Sequence, residues 1–172
     1  MESASQSTPL RPHPGTISPT VTSTSSISPR DENNIVDHFV MSSIRVLVVE
    51  DFAPFRDFIR STLGKRPDLE IICEVADGLE AVQQAALLKP DLILLDIGLP
   101  TLNGIDAARE IRKLAPESKI LFVSQESSGD VLQEAFDLGA WGYVAKARSA
   151  TDLPLAVEAV ISEKCFAGLP RT

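Results

Sequence analysis

The chain has 172 residues, 44% hydrophobic and 23% charged, which is the composition of a soluble protein with one full hydrophobic core. Its formal net charge of -8 and the lack of a basic stripe argue against direct binding of nucleic acid. The sequence contains neither a signal-peptide core nor an apolar run long enough to span a bilayer, so it predicts a cytoplasmic protein outside the membrane. Cys73 and Cys165 suit a reducing compartment and lack metal-ligand spacing.

The N-terminal segment, residues 1–42, is predicted to be a disordered tail. Its first 30 residues include 18 Ser, Thr or Pro and almost no large apolar side chains. Such a segment cannot bury enough surface to offset the entropy lost on ordering. Met41 is the only methionine besides Met1 and directly precedes the first predicted strand. One hypothesis is therefore that natural translation starts at Met41.

From Ser43 onward, strand-like apolar runs alternate five times with helical patterns. The predicted strands cover residues 44–49, 69–75, 91–95, 120–123 and 141–145. The predicted helices cover residues 53–64, 78–88, 104–114, 128–138 and 152–163. These elements define a predicted domain over residues 43–165, followed by a short C-terminal tail, residues 166–172.

Helix ends carry recognisable capping residues. Asn103 is expected to cap the third helix, with Asp106 beside its positive end. Thr151 is expected to cap the last helix and to leave Pro154 in the first turn, where a missing N–H is harmless.

Strands that alternate with helices predict a parallel sheet covered by helices on both faces, a three-layer α/β sandwich. The first, third and fourth strands are almost wholly apolar, as central strands should be. The second contains Glu70 and Glu74, and the fifth contains Gly142, so we expect these two strands at the edges. The predicted strand order is 2-1-3-4-5, that of a doubly wound, flavodoxin-like sheet.

Polar residues follow the strands where parallel strands of an open sheet form sites. The residues concerned are Glu50, Asp51, Asp96, Ser124 and Lys146, with Tyr143 three positions before the lysine. Three carboxylates and one ammonium leave two excess negative charges. Each like-charged pair at about 4 Å repels by roughly 4 kcal/mol at an effective dielectric near 20. A divalent cation would cancel this excess, and oxygen ligands without His or Cys favour Mg²⁺.

Four stretches of sequence are similar to the receiver domain of two-component response regulators, particularly the NarL/FixJ type. They are "RVLVVED", "PDLILLDIGLPTLNGIDAAREIR", "ILFVSQES" and "GAWGYVAKA", and the resemblance covers residues 44–163. It implies that Asp96 accepts a phosphoryl group from a phosphohistidine of a sensor kinase or phosphotransfer protein. It also implies a Mg²⁺ site at which Asp51 and Asp96 bind the ion, Glu50 acts mainly through water, and the Gly98 carbonyl completes the protein ligands.

The same resemblance implies a conformational switch. Lys146 would pair with Asp96 and later with a phosphoryl oxygen, Ser124 would move to the phosphoryl group, and Tyr143 would turn inward into the vacated space. The responding surface would be the fourth helix, fifth strand and fifth helix, residues 128–163. Such domains commonly form homodimers or meet partners there. Phosphorylation can bias a two-state element because it adds negative charge and new acceptors.

The sequence departs from the family pattern in three ways. Gln125 follows the switch serine, where many relatives have a small residue, and Ala147 follows Lys146, where many have proline. NarL/FixJ regulators continue into a DNA-binding helix-turn-helix, whereas this sequence stops at Thr172. The sequence therefore leaves open a stand-alone receiver or the receiver fragment of a DNA-binding transcriptional regulator.

Other interpretations remain open from the residues alone. A strand-end carboxylate or serine can cap a turn, Lys146 could be a solvated loop residue, and Tyr143 could belong to the core. An aspartate-based phosphatase would need a second acid where Gly98 stands, so we expect no enzyme beyond self-phosphorylation and self-dephosphorylation. A nucleotide or flavin site is disfavoured because the loop "EDFAPF" lacks glycines. A phosphorylation-independent interaction module on the receiver fold is the remaining alternative.

Overall fold

The computed structural model describes residues 43–126 and 128–168. The predicted disordered tail, residues 1–42, lies outside the described residues, as do residues 169–172 of the predicted C-terminal tail.

Strands and helices alternate along the described chain. The strands are β1 (Ile44–Val49), β2 (Leu69–Val75), β3 (Leu92–Leu95), β4 (Lys119–Ser124), β5 (Gly142–Ala145) and β6 (Phe166–Gly168). The helices are α1 (Ala53–Leu63), α2 (Gly78–Leu88), α3 (Gly104–Leu114), α4 (Gly129–Asp137) and α5 (Ser149–Ile161). A short 3₁₀ turn, Lys146–Arg148, joins β5 to α5. The five predicted strands and helices are all present, with ends that differ by at most three residues.

All six strands pair in parallel in the order β2-β1-β3-β4-β5-β6. The chain is thus a doubly wound α/β protein with a flavodoxin-like sheet, as the alternation of elements predicts. The register pairs Val49 with Leu95 and Leu95 with Phe122. The last residues of β1 and β3 are therefore neighbours, and the polar residues that follow them, Glu50 and Asp96, leave the sheet side by side.

Each face of the sheet has its own hydrophobic core. On one face, α1 and α5 pack against alternate strand residues such as Val48, Leu94 and Val123. On the other face, α2, α3 and α4 pack against the intervening residues, such as Leu95 and Phe122. Because successive side chains of a strand point to opposite faces, the continuous apolar runs of β1, β3 and β4 fill both cores.

The fifth strand is not an edge, which corrects the prediction. Phe166–Gly168, which we assigned to the C-terminal tail, form β6 and pair with β5 from Gly142 to Val144. Phe166 also packs against the core on the α1–α5 face. Three residues are too few to produce a recognisable alternation in sequence. The outer strands of the described sheet are β2 and β6.

The start of α5 also differs from the prediction. The helix begins at Ser149, so Thr151 lies inside it and does not cap it, and Pro154 is an interior residue. The reason is local: the 3₁₀ turn runs directly into the helix, with the Ser149 hydroxyl donating to the Lys146 carbonyl at 2.8 Å. At the start of α3 the prediction is confirmed, because the Asn103 side chain accepts a hydrogen bond from the Asp106 amide.

Candidate functional site

The predicted site residues converge at the carboxyl ends of the central strands. A cavity of about 380 Å³ opens there, between the ends of β1, β3, β4 and β5. Its lining includes the predicted residues Asp51, Asp96, Gly98, Ser124 and Lys146. Four separate segments of the chain thus contribute to one concave site.

An ion-pair network occupies the floor of this site. The Lys146 ammonium lies 2.7 Å from Asp96 Oδ2 and 2.7 Å from Glu50 Oε2. All three side chains are almost fully buried, Lys146 being the most exposed at 10%. One buried cation therefore forms ion pairs with two buried carboxylates, and buried charges are tolerated only when they are paired.

Burial and pairing shift the proton affinities in this network. Burial raises the pKa of the Glu50 carboxyl, against the opposing effect of its hydrogen bond from Lys146. Burial alone would lower the pKa of the Lys146 ammonium, but hydrogen bonds to Asp96 and Glu50 outweigh it, and the net pKa is raised. Lys146 is consequently held in its charged form, as a permanent positive centre at the bottom of the cavity.

Asp51 completes an acidic cluster. It is exposed, unlike Glu50 and Asp96, and one carboxylate oxygen from each of the three residues lies within 4.8 Å of the others. Opposite ligands of an octahedral Mg²⁺ are about 4.2 Å apart, twice the usual Mg–O distance. Adjacent ligands of such an ion are closer still, so the three carboxylates would have to draw together around it, and their all-oxygen chemistry is the kind that Mg²⁺ prefers.

The loop after β3 fixes the Asp96 carboxylate from the other side. Asp96 Oδ1 accepts hydrogen bonds from the amides of Ile97 at 2.7 Å and Gly98 at 3.3 Å. Gly104 touches the same segment, since a Cβ atom built on it would lie 2.0 Å from the Asp96 carbonyl oxygen. Asp96 thus has one oxygen bound to the backbone and the other bound to Lys146.

Ser124 borders the cavity, and Tyr143 lies on the adjacent strand. Ser124 is buried at the end of β4, and its Oγ accepts a hydrogen bond from the Glu126 amide at 3.3 Å. Tyr143 is already inside the core, with 1% of its surface exposed. Its hydroxyl is buried, which raises the pKa of the phenol, and makes no hydrogen bond of good geometry with the described residues, although the Ser124 side chain is close enough to lower that pKa in part. The resemblance implied an inward turn of Tyr143, and in this structure the ring is inward.

Two residues of the site were missed by the sequence analysis. The Arg56 guanidinium donates to the backbone carbonyls of Glu50 at 2.5 Å and Asp51 at 3.1 Å, and so fixes the acidic loop. The ring of Phe55 lies 4.9 Å from the Lys146 ammonium, measured to the ring centroid. The apolar periodicity of α1 does not distinguish these two residues from the rest of the helix. The one indication in the sequence was that Arg56 lies close to the acidic pair Glu50 and Asp51.

Of the two residues that depart from the family pattern, Gln125 is in the site. It lines the 380 Å³ cavity, next to Ser124, so its side chain borders the entrance to Asp96. Ala147 lies in the 3₁₀ turn and lines a second, mostly apolar cavity of about 590 Å³ beside the first. Neither residue displaces a member of the ion-pair network.

None of the helices within residues 43–126 and 128–168 combines the length and the apolar character needed to traverse a bilayer.

Curated relatives match through a part of their length. A protein-glutamate methylesterase/protein-glutamine glutaminase of Thermotoga maritima is 40% identical over 111 residues, which are 64% of this chain and 32% of that protein. The response regulator protein VraR of Staphylococcus aureus is 36% identical over 115 residues, 67% of this chain and 55% of that protein. The chain therefore spans between about a third and about half of the length of these relatives.

Solved structures agree with this comparison. The crystal structure of a LuxR-family two-component response regulator from Aurantimonas sp. SI85-9A1 superimposes with a TM-score of 0.68 at 30% identity. The superposition covers 73% of this chain and 89% of that one. The family model of the response regulator receiver domain matches residues 46–158, from within β1 to within α5, and includes every residue of the ion-pair network. This chain belongs to the response regulator receiver domain family.

Proposed function

We propose that this domain is a phosphorylation-operated switch of a two-component system and that Asp96 is its phosphoacceptor. The observation that supports this most directly is the geometry of Asp96. Its carboxylate is held at the base of an open cavity by Lys146 at 2.7 Å and by two backbone amides. A buried carboxylate fixed in this way, with a neighbouring cation, is suited to attack on phosphorus, because phosphoryl transfer depends on positioning and on charge neutralisation.

In the proposed reaction, an oxygen of Asp96 attacks the phosphorus of a phosphohistidine. The new P–O bond forms as the P–N bond breaks, and the departing imidazole nitrogen takes up a proton from solvent. Lys146 would exchange its contact with the Asp96 carboxylate for one with a phosphoryl oxygen. Ser124, at the end of β4, is the proposed hydroxyl donor to the phosphoryl group. Donors positioned before the reaction stabilise charge that develops during it.

The acidic cluster is the proposed Mg²⁺ site. Asp51 and Asp96 would bind the ion directly with the Gly98 carbonyl, and Glu50 would act mainly through water. Support comes from exposure: Asp51 and Gly98 line the cavity, whereas both oxygens of Glu50 lie within 2.8 Å of Lys146. When bound, Mg²⁺ would supply positive charge against the carboxylates and the phosphoryl oxygens.

The proposed donor is a sensor histidine kinase or a histidine phosphotransfer protein. Family membership and the open cavity above Asp96 support this class of partner. The methylesterase and VraR relatives extend well beyond the region they share with this chain, so the output of the switch is not transferred from them. The net charge of -8 argues against direct binding of nucleic acid.

Residues 128–163, which contain α4, β5 and α5, are the proposed switch surface. Tyr143 and Ser124 connect it to the cavity, since they lie on adjacent strands and both are buried. A homodimer through this surface stays a prediction, and β6 now has to be included in it because it covers the edge of β5. The domain bounds 43–165 and the cytoplasmic location also stay predictions.

The experiment is phosphorylation by a small donor. The protein is incubated with acetyl phosphate and MgCl₂, and intact mass is measured for the natural chain and for Asp96→Asn. We expect a gain of one phosphoryl group in the natural chain and none in the variant. Asp57→Asn is a matched control, because Asp57 is an exposed α1 carboxylate outside the cavity. No gain in the natural chain would favour a phosphorylation-independent interaction module, and sustained phosphate release from a general phosphatase substrate would favour an enzyme.

A further inference from the structure

The ammonium of Lys146 has an aromatic neighbour as well as its two carboxylates. The Phe55 ring centroid lies 4.9 Å from Lys146 Nζ, within the range of a cation–π contact. Phe55 comes from α1, whereas Lys146 follows β5, so the contact joins two elements that lie far apart in the chain. The ring packs against the core between the sheet and α1, and its centroid lies 5.4 Å from that of Phe58.

The Phe55 ring borders one of the two cavities that Lys146 lines. Lys146 lines both the 380 Å³ cavity above Asp96 and the 590 Å³ apolar cavity beside it. Phe55 lines only the second. The ring therefore borders the ammonium from the apolar cavity and not from the cavity above Asp96.

We propose that Phe55 is a positioning residue for phosphoryl transfer, acting through the face of its ring on the Lys146 ammonium. This inference rests on the proposed function of Asp96. Lys146 must leave one carboxylate and meet a phosphoryl oxygen within the same small space. The attraction of the ring matters most while the cation passes between its two anionic partners, so it holds Lys146 near the site during transfer. An aliphatic side chain would fill the same volume without attracting the charge.

The contact can be tested without any phosphodonor. Protons above the face of an aromatic ring resonate upfield of their ordinary position, so the terminal methylene protons of Lys146 should be shifted upfield in the NMR spectrum of the natural chain. The shift should disappear in Phe55→Leu and persist in Phe58→Leu, which removes the neighbouring ring from the same helix. Ordinary Lys146 shifts in the natural chain would overturn the inference, whatever the outcome for Asp96.

The role in transfer is tested by the rate of phosphorylation with acetyl phosphate. Phe55→Leu should slow the reaction about 3- to 10-fold, the factor that corresponds to a partly desolvated cation–π contact. Phe55→Tyr should restore the rate to within about twofold, because its ring keeps a negative face. Phe58→Leu should remain close to the natural rate. Affinity for Mg²⁺ should be similar in all variants, since Phe55 is not one of the residues lining the cavity above Asp96.

Stepwise fluorination of Phe55 separates an electrostatic role from packing. Ring fluorines withdraw charge from the face and leave the side chain apolar and similar in size, so the domain should keep its fold. We expect the rate to fall progressively from phenylalanine to its mono-, di- and trifluorinated forms. A flat series would overturn the inference, even if Phe55→Leu were slow. If the natural chain takes up no phosphoryl group, the proposed function fails instead, and the NMR measurement still reports on the contact.

Discussion

The Lys146 ammonium is equidistant, at 2.7 Å, from Asp96 Oδ2 and Glu50 Oε2. The third carboxylate of the cluster, Asp51, is exposed and has no such contact with the lysine. Without a bound cation, the site therefore contains more negative than positive charge, and the excess lies where Asp51 faces the cavity. Functional sites commonly store unfavourable charge of this kind at the expense of stability.

The first prediction follows from this imbalance. Asp51→Asn should raise the free energy of unfolding in the absence of Mg²⁺, because one like charge is removed. It should also abolish stabilisation by Mg²⁺, which for the natural chain is about 2.7 kcal/mol at a hundred times the dissociation constant. Chemical denaturation with and without MgCl₂ measures both effects.

Fluorescence of Trp141 is a poor reporter of metal binding, since this residue precedes β5 at the opposite end of the sheet and stacks on Lys119.

The control for this measurement is Asp57→Asn. It makes the same change in charge on an exposed carboxylate that pairs with Arg60. Its response to Mg²⁺ should equal that of the natural chain. Stabilisation of Asp51→Asn by Mg²⁺ to the natural extent would contradict the assignment of the metal site.

A second prediction concerns the close packing of Gly104 against the phosphoacceptor loop. A Cβ atom at this position would lie 2.0 Å from the Asp96 carbonyl oxygen and 2.8 Å from Ile97 Cα, so the loop must move. Gly104→Ala should lower the free energy of unfolding by about 2 kcal/mol or more, as overpacked substitutions do. It should also slow phosphorylation at least tenfold, because a displacement of about 1 Å at reacting groups has that effect or a larger one.

Gly129→Ala is the matched control for Gly104→Ala. Gly129 is also the first residue of a helix, yet a Cβ atom there meets nothing within 4 Å. Alanine should therefore be neutral or stabilise the domain by up to about 1 kcal/mol, the difference in helix propensity. Urea unfolding of both variants provides the comparison, and equal losses would contradict the packing argument.

The site could be predicted from the sequence because its charged residues directly follow apolar strands. Apolar runs placed Asp96 and Glu50 directly after buried strands, and the parallel arrangement then required them to be neighbours. The excess of three carboxylates over one lysine then predicted a divalent cation at this site. These arguments need only the order of elements and the period of side chains along a strand.

The features that the sequence did not reveal depend on side-chain direction and on short elements. Phe55 and Arg56 are adjacent residues of one helix, and nothing in the periodicity indicates that both reach the strand-end cluster. Strand β6 has three residues, and its pairing with β5 depends on where the chain goes after α5. The early start of α5 depends on the 3₁₀ turn that follows β5. Each of these is a tertiary effect that overrides the local pattern.

A third prediction concerns acid stability and Asp77, the N-cap of α2. Its carboxylate has a pKa below the ordinary 3.8 because it accepts a hydrogen bond from the Thr101 side chain and others from the amides of Glu80 and Leu79. A lowered pKa contributes stability above pH 3.8 that is lost as the pH falls through the folded-state value. Asp77→Asn keeps a capping oxygen but does not titrate.

Thermal unfolding of both proteins from about pH 7 down to about pH 3 tests this expectation. The natural chain should be the more stable at neutral pH, and its advantage should shrink below pH 3.8, where the carboxylate becomes protonated. An advantage that is independent of pH would mean that the charge of Asp77 contributes nothing to the cap.

The last prediction concerns the buried hydroxyl of Tyr143. A buried polar group without a hydrogen bond costs about 1–3 kcal/mol, and this hydroxyl makes no hydrogen bond of good geometry with the described residues. Tyr143→Phe should therefore raise the free energy of unfolding or leave it unchanged at neutral pH. Burial also raises the pKa of the phenol to about 12, against an ordinary value of 10. Between these values the unfolded chain binds fewer protons than the folded one, so the stability of the natural chain should fall as the pH rises above 10.

This alkaline loss should be absent from Tyr143→Phe, whose ring does not titrate. Melting temperatures of the two proteins at about pH 8 and about pH 11 give the comparison, and their difference should widen at the higher pH in favour of phenylalanine. Destabilisation of Tyr143→Phe at neutral pH would mean that the hydroxyl does form a hydrogen bond in solution. Ser124 would then be the nearest candidate, since it occupies the adjacent strand and its hydroxyl is also buried at the base of the cavity.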